Sequence, residues 1–176
     1  MTKGRSFALA LCIAVALTLV AIPAAGATTQ RADASGVWSW GGNYGDFVFD
    51  PGKLVGGNQF FTGHEHGGWT GTFEGTSYEP FTGIIFKSGT LWAIITINFE
   101  GTVFGQSGTA VMKLTVNAPP PPVTMGGRWV IVSGSGGLRH LHGFGTWIYV
   151  GDIPTGDPDV PPDTSYADYD GTVWMH

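Results

Sequence analysis

The chain has 176 residues, with 8 Lys and Arg against 13 Asp and Glu and a formal net charge of −5. Lys3 and Arg5 stand at the very start, so the remainder is more acidic still. That balance speaks against nucleic acid or an anionic membrane surface as a partner, since both require basic patches.

Taken in chain order, residues 7–22 form an apolar run interrupted only by Thr18, and Pro23 then precedes Ala25-Gly26-Ala27. A basic start, an apolar core and a small-x-small site read as a secretory signal peptide over residues 1–27. The core falls short of the roughly 20 residues that span a bilayer. We therefore expect a secreted, periplasmic or extracellular protein with no membrane attachment after cleavage. The lone cysteine, Cys12, lies inside the apolar run. The exported part then has no disulfide and must be held together by its core, for which its length suffices as one domain.

Of the 29 glycines most fall in the exported part, often every few residues, and each would cost a helix interior about 1 kcal/mol. Val, Ile, Thr and aromatic residues are plentiful, so the expectation is all-β. Residues 28–36 read as a flexible leader. Short strands follow at 37–40 and 46–49, then an Asp50-Pro51-Gly52 turn and an extended stretch over 53–61. After His64-Glu65-His66, residues 69–74 alternate with Trp69, Gly71 and Phe73 on one face, as in a half-buried strand. Residues 75–80 read as a turn and 81–86 as extended. Residues 90–99 form the most apolar strand, and 101–104 with 108–116 form a hairpin about Gly105-Gln106-Ser107. The four prolines at 119–122 make a stiff loop. Strands are expected at 128–133, 144–150 and 169–175, separated by an acidic, Pro-rich loop at 151–168. This pattern predicts a single antiparallel barrel of about eight strands over 37–176, mostly up-and-down, because closure removes exposed edges. A β-sandwich is the alternative.

The stretch 133–149 carries the most recognisable pattern. Gly127-x-Trp129-x-Ile131-x-Ser133-Gly134-Ser135-Gly136-x-Leu138 continues into Leu141-His142-Gly143-x-Gly145-Thr146. With Phe99-Glu100-Gly101-Thr102-Val103-x-Gly105-x-Ser107-Gly108-Thr109, it resembles uncharacterised exported bacterial and archaeal proteins grouped with allene oxide cyclase and dirigent-type β-barrels. The resemblance implies a small barrel. In the named groups it implies isomerisation of a lipid epoxide or steering of phenoxy-radical coupling, but neither group's functional residues can be placed on this chain. Physically, Gly134 and Gly136 permit positive φ in the turn, while Gly143 and Gly145 allow close approach or a barrel corner.

Three residue sets are candidates for chemistry. The pairs His64/His66 and His140/His142 could each present two imidazoles on one strand face to zinc or copper, with Glu65 pointing away. The competing reading is loop histidines, exposed or bonded to turn backbone, since His-x-His without a supporting carboxylate or Cys is a weak metal signal. Asp152, Asp157, Asp159, Asp163, Asp168 and Asp170 supply oxygens for calcium, but their spacing does not match a calcium loop. Of the seven tryptophans, which include Trp38, Trp40 and Trp174, we single out Trp69, Trp92, Trp129 and Trp147 as candidates to line an apolar ligand site at a barrel mouth. No nucleophile elbow, phosphate loop or dinucleotide fingerprint occurs, so no catalytic residue is assigned and no cofactor is expected. The leading reading is a non-catalytic binding or structural module for an apolar small ligand. The alternatives are a cofactor-free isomerase or cyclase and a metal-binding protein. Oligomerisation is left open.

Overall fold

A computed structural model describes residues 30–120, 124–152 and 164–176. The expected signal peptide, part of the proline loop and most of the acidic loop lie outside the described residues. The strands are β1 (Gln30–Trp40), β2 (Val48–Val55), β3 (Asn58–Gly71), β4 (Phe73–Ile85), β5 (Leu91–Val103), β6 (Gln106–Ala118), β7 (Gly126–Gly136), β8 (Leu141–Asp152) and β9 (Ser165–Met175). A single 3-10 turn, Gly42–Tyr44, joins β1 to β2.

Every pairing is antiparallel, and the order β1-β9-β8-β7-β6-β5-β4-β3-β2 is closed by a β1–β3 pairing. The result is an eight-stranded barrel with β2 as a ninth, extra strand, not a sandwich. Up-and-down connection follows from tight local turns. The β5–β6 hairpin closes through Phe104 and Gly105, with φ of 53° and 73°. Two successive positive φ values make the primed turn whose twist suits a two-residue hairpin.

Alternation fixes what faces inward. On β5, Ala93, Ile95, Ile97 and Phe99 are buried, and on β6 so are Ala110, Met112, Leu114 and Val116. One end of the barrel is packed solid. Phe73 meets Phe99, Trp129 and Tyr169 edge-on at 5.6–5.9 Å, and Leu138 from the β7–β8 turn is fully buried. Each such ring removes roughly 150–250 Å² from water, worth several kcal/mol at about 25 cal/mol per Å². The Tyr169 hydroxyl accepts from the Phe73 amide and donates to the Thr70 carbonyl, both at 3.0 Å, pinning the β3–β4 turn.

Three sequence expectations are corrected here. The leader at 28–36 is strand from Gln30 onward, because Ala34, Gly36 and Trp38 alternate inward while β1 pairs with β9 along its whole length. The single strand expected over 69–74 is two strands. Gly71, at φ 99°, reverses the chain, so Trp69 and Phe73 both face the core from opposite sides of a turn. The turn expected at 75–80 is the middle of β4, where Gly75 and Pro80 sit within a continuous ladder to β3.

Candidate functional site

The other end of the barrel is hollow. A cavity of about 230 Å³ opens there, with Trp38, Trp40 and Trp147 on one side and Phe61, Phe81 and Ile95 on the other. Phe47 and Phe49, from the β2 arm, complete the wall by stacking on Phe81 at 5.8 Å and Phe61 at 5.2 Å. Glu65 is the one ionisable side chain among the described residues that line it.

Glu65 is inward because β3 alternates. Phe61, Glu65 and Trp69 take the buried face, while His64 and His66 take the outer one. Directly across the ladder lies Glu79 of β4, which places the two Cβ atoms about 4.5–5.5 Å apart. Glu79 is completely buried and Glu65 is 4% exposed. Burying two carboxyls side by side in an apolar wall is costly unless they are hydrogen-bonded or protonated.

Both solutions are present. Trp69 Nε1 donates to Ser77 Oγ at 2.8 Å, Ser77 Oγ donates to Glu79 Oε1, and Trp38 Nε1 donates to the same oxygen at 2.9 Å. Gly67 makes room for this relay, since a Cβ there would sit 2.8 Å from Trp38 Nε1 and 3.0 Å from Ser77 Oγ. Glu79 Oε2, equally buried, has no partner among the described residues. Burial pushes Glu79 up to about 8, against the opposing effect of the Ser77, Trp38 and Trp69 donors, which favour the carboxylate. Burial also pushes Glu65 up to about 9, and the nearby Glu79 charge adds to the rise. Both carboxyls are therefore held well above the ordinary glutamate range, with Glu65 at the cavity wall.

The tryptophans singled out from the sequence divide. Trp147 lines the cavity. Trp69 lies in the layer next to it, stacked on Trp38 at 5.7 Å. Trp129 is packed into the closed core, its Nε1 bonded to the Thr146 and Asp170 carbonyls. Trp92 is 42% exposed on the outer face, because its neighbours Leu91 and Ala93 take the interior side. No ring of these four surrounds a mouth.

The histidine pairs are also separated. His64 and His66 flank Tyr78 on the outer face of β3 and β4, at 5.5 and 5.2 Å. His140 sits in the β7–β8 turn, and His142 stacks on Trp174 at 5.7 Å. Two strands, β1 and β9, intervene between β3 and β8, so the four imidazoles share no shell. No cluster of three or more metal-ligating side chains occurs among the described residues. Of the acidic loop, Asp152 accepts from Tyr149 and Ser165, and Asp157, Asp159 and Asp163 lie outside the described residues.

Sequence reasoning missed Glu65, Ser77 and Glu79. Placing His64 and His66 on one strand face already required Glu65 to point the opposite way, which here is inward. Glu79 was hidden by reading 75–80 as a turn.

No protein-family model and no curated protein sequence matches the chain. Among solved structures it is similar to a protein of unknown function of the DUF3224 family from Shewanella oneidensis. That match has 15% identity and a TM-score of 0.55, covering 84% of this chain and 98% of that one. It is also similar to a pterocarpan synthase dirigent protein, at 12% identity and a TM-score of 0.50, over 84% of this chain and 89% of that one. At these identities the likeness is one of fold, and it bears out the barrel implied by the sequence resemblance.

Proposed function

We propose that the open end of the barrel binds a small, largely apolar molecule and that Glu65, backed by Glu79, moves a proton on it without a cofactor. The observation that carries this reading is a buried carboxyl pair at the wall of an otherwise apolar, aromatic cavity. Perturbed carboxyls in a cleft are the usual mark of acid–base work. The protonated Glu65 carboxyl can give its proton to a basic oxygen of the ligand and take one back from a ligand carbon, so that a double bond shifts and no atom is gained or lost. Positioned acid–base groups of this kind contribute roughly 10²–10⁴-fold in rate. Glu79, fixed by Trp38 and Ser77, holds the charge balance behind it. Export through the signal peptide is part of the same proposal.

Soaking the protein with a panel of small cyclic ketones in deuterated water tests this. Trp38, Trp40 and Trp147 would report binding by quenched fluorescence, and mass spectrometry would report deuterium entering the ligand next to the carbonyl. Wild type should do both, while Glu65→Gln should bind but not exchange. Quenching without exchange in wild type would reduce the reading to the binding module expected first from the sequence. No quenching by any member would end it.

A further inference from the structure

β2 belongs to the sheet but not to the closed barrel. It ends the strand order and hydrogen-bonds to β3 along one edge, and among the described residues no strand occupies its other edge. All eight of its residues are exposed, and Val48, Phe49, Leu54 and Val55 are 42–69% exposed. An edge of this kind is a template for pairing with another chain.

We propose that the partner is a second copy of the protein, paired antiparallel through β2. The sequence Val48-Phe49-Asp50-Pro51-Gly52-Lys53-Leu54-Val55 is chemically palindromic, with two apolar residues, a charge, Pro-Gly, the opposite charge, and two apolar residues. A two-fold axis between Pro51 and Gly52 sets Val48 opposite Val55, Phe49 opposite Leu54, and Asp50 opposite Lys53 twice over.

In a regular strand that register is forbidden. Residues directly opposite must share a sheet face, and odd and even positions do not. β2 is not regular. Pro51 lies opposite Phe61, but Leu54 lies opposite Gln59, so β2 carries one extra residue between them. Beyond this bulge the alternation is inverted. Phe49 and Leu54 fall on one face, level with Gly63 and Gln59, while Val48 and Val55 fall on the other, level with His64 and Asn58. The bulge thus makes the self-complementary register face-consistent. Pro51 has no N–H to give, so the ladder rests on the flanking residues. Together with the two charges, it disfavours registers other than this one.

Sedimentation velocity of the purified protein from micromolar to millimolar concentration tests the proposal, with far-UV circular dichroism confirming an intact barrel. Wild type should show a concentration-dependent dimer. Asp50→Lys places like charges opposite each other at both symmetric positions and should weaken it by about tenfold or more. The double variant Asp50→Lys with Lys53→Asp should restore it. A wild type that stays monomeric throughout, as when another part of the chain covers this edge, overturns the proposal. So does a dimer indifferent to Asp50→Lys, or one that the double variant fails to rescue.

Discussion

Raising the pH should destabilise this protein, and the carboxyl pair sets how much. A buried acid whose folded pKa lies above its unfolded value binds more protons folded than unfolded. Its stabilisation is full below the unfolded pKa and is lost as pH rises through the folded one. For Glu79 the window runs from 4.5 to about 8, and at about 1.4 kcal/mol per pH unit it accounts for on the order of 5 kcal/mol. Glu65, with a window from 4.5 to about 9, adds to this but not independently, since part of its rise reflects the Glu79 charge. Against a total stability of about 5–15 kcal/mol, the loss is large. Thermal melts followed by tryptophan fluorescence should show Tm falling by roughly 10 °C or more between pH 5 and pH 8. Glu65→Gln with Glu79→Gln removes both titrating groups, so most of that fall should vanish and the variant should outlast wild type at pH 8. A wild-type Tm that does not fall, or an equal fall in the double variant, would refute the buried, proton-bearing pair.

Other substitutions have equally definite outcomes. Gly143→Val should unfold the barrel, because a Cβ there lies 2.7 Å from Val173 and 2.8 Å from the Thr172 carbonyl. Gly136→Val should also prove severely destabilising, since φ is 61° and a β-branched residue is strained there. Circular dichroism checks both, and His140→Ala, in an exposed turn, should stay within about 0.5 kcal/mol of wild type in urea. Leu138→Ala should cost about 2–5 kcal/mol by the same assay, because it empties the plug of the closed end. Trp38→Phe removes a donor to Glu79 Oε1. It should move the alkaline midpoint of the melting curve upward, since the carboxylate loses a stabilising partner.

The barrel was legible because its signals are local. Alternation on β5 and β6, the tight hairpin between them and the glycines of the β7–β8 return each declare strand or turn within a few residues. Gly136 takes the positive φ expected of it, and Gly143 and Gly145 pass close to β9, as their spacing suggested. Gly134 does not take a positive φ and instead packs against the Leu138 backbone within the strand. The site was less legible because it depends on which strand face each residue takes. Trp69 to Glu74 satisfies strand alternation perfectly, yet the chain turns inside it at Gly71. Gly75, Ser77 and Pro80 are turn-forming residues in isolation, yet tertiary pairing to β3 and β5 keeps them extended and turns Ser77 and Glu79 inward. A register that pairs Glu65 with Glu79 is a non-local fact, and no window of sequence contains it. The bulge in β2 is non-local in the same way, since it exists only relative to β3.

The central claim is that Glu65 and Glu79 hold protons beside an apolar cavity at neutral pH. Carboxyl-carbon NMR of protein labelled at glutamate, titrated from pH 4 to pH 10 and assigned with the Glu65→Gln and Glu79→Gln variants, measures this directly. The two signals lost in those variants should titrate above pH 7 and shift further when an apolar ketone fills the cavity. Two carboxyls already ionised at pH 6 would contradict it.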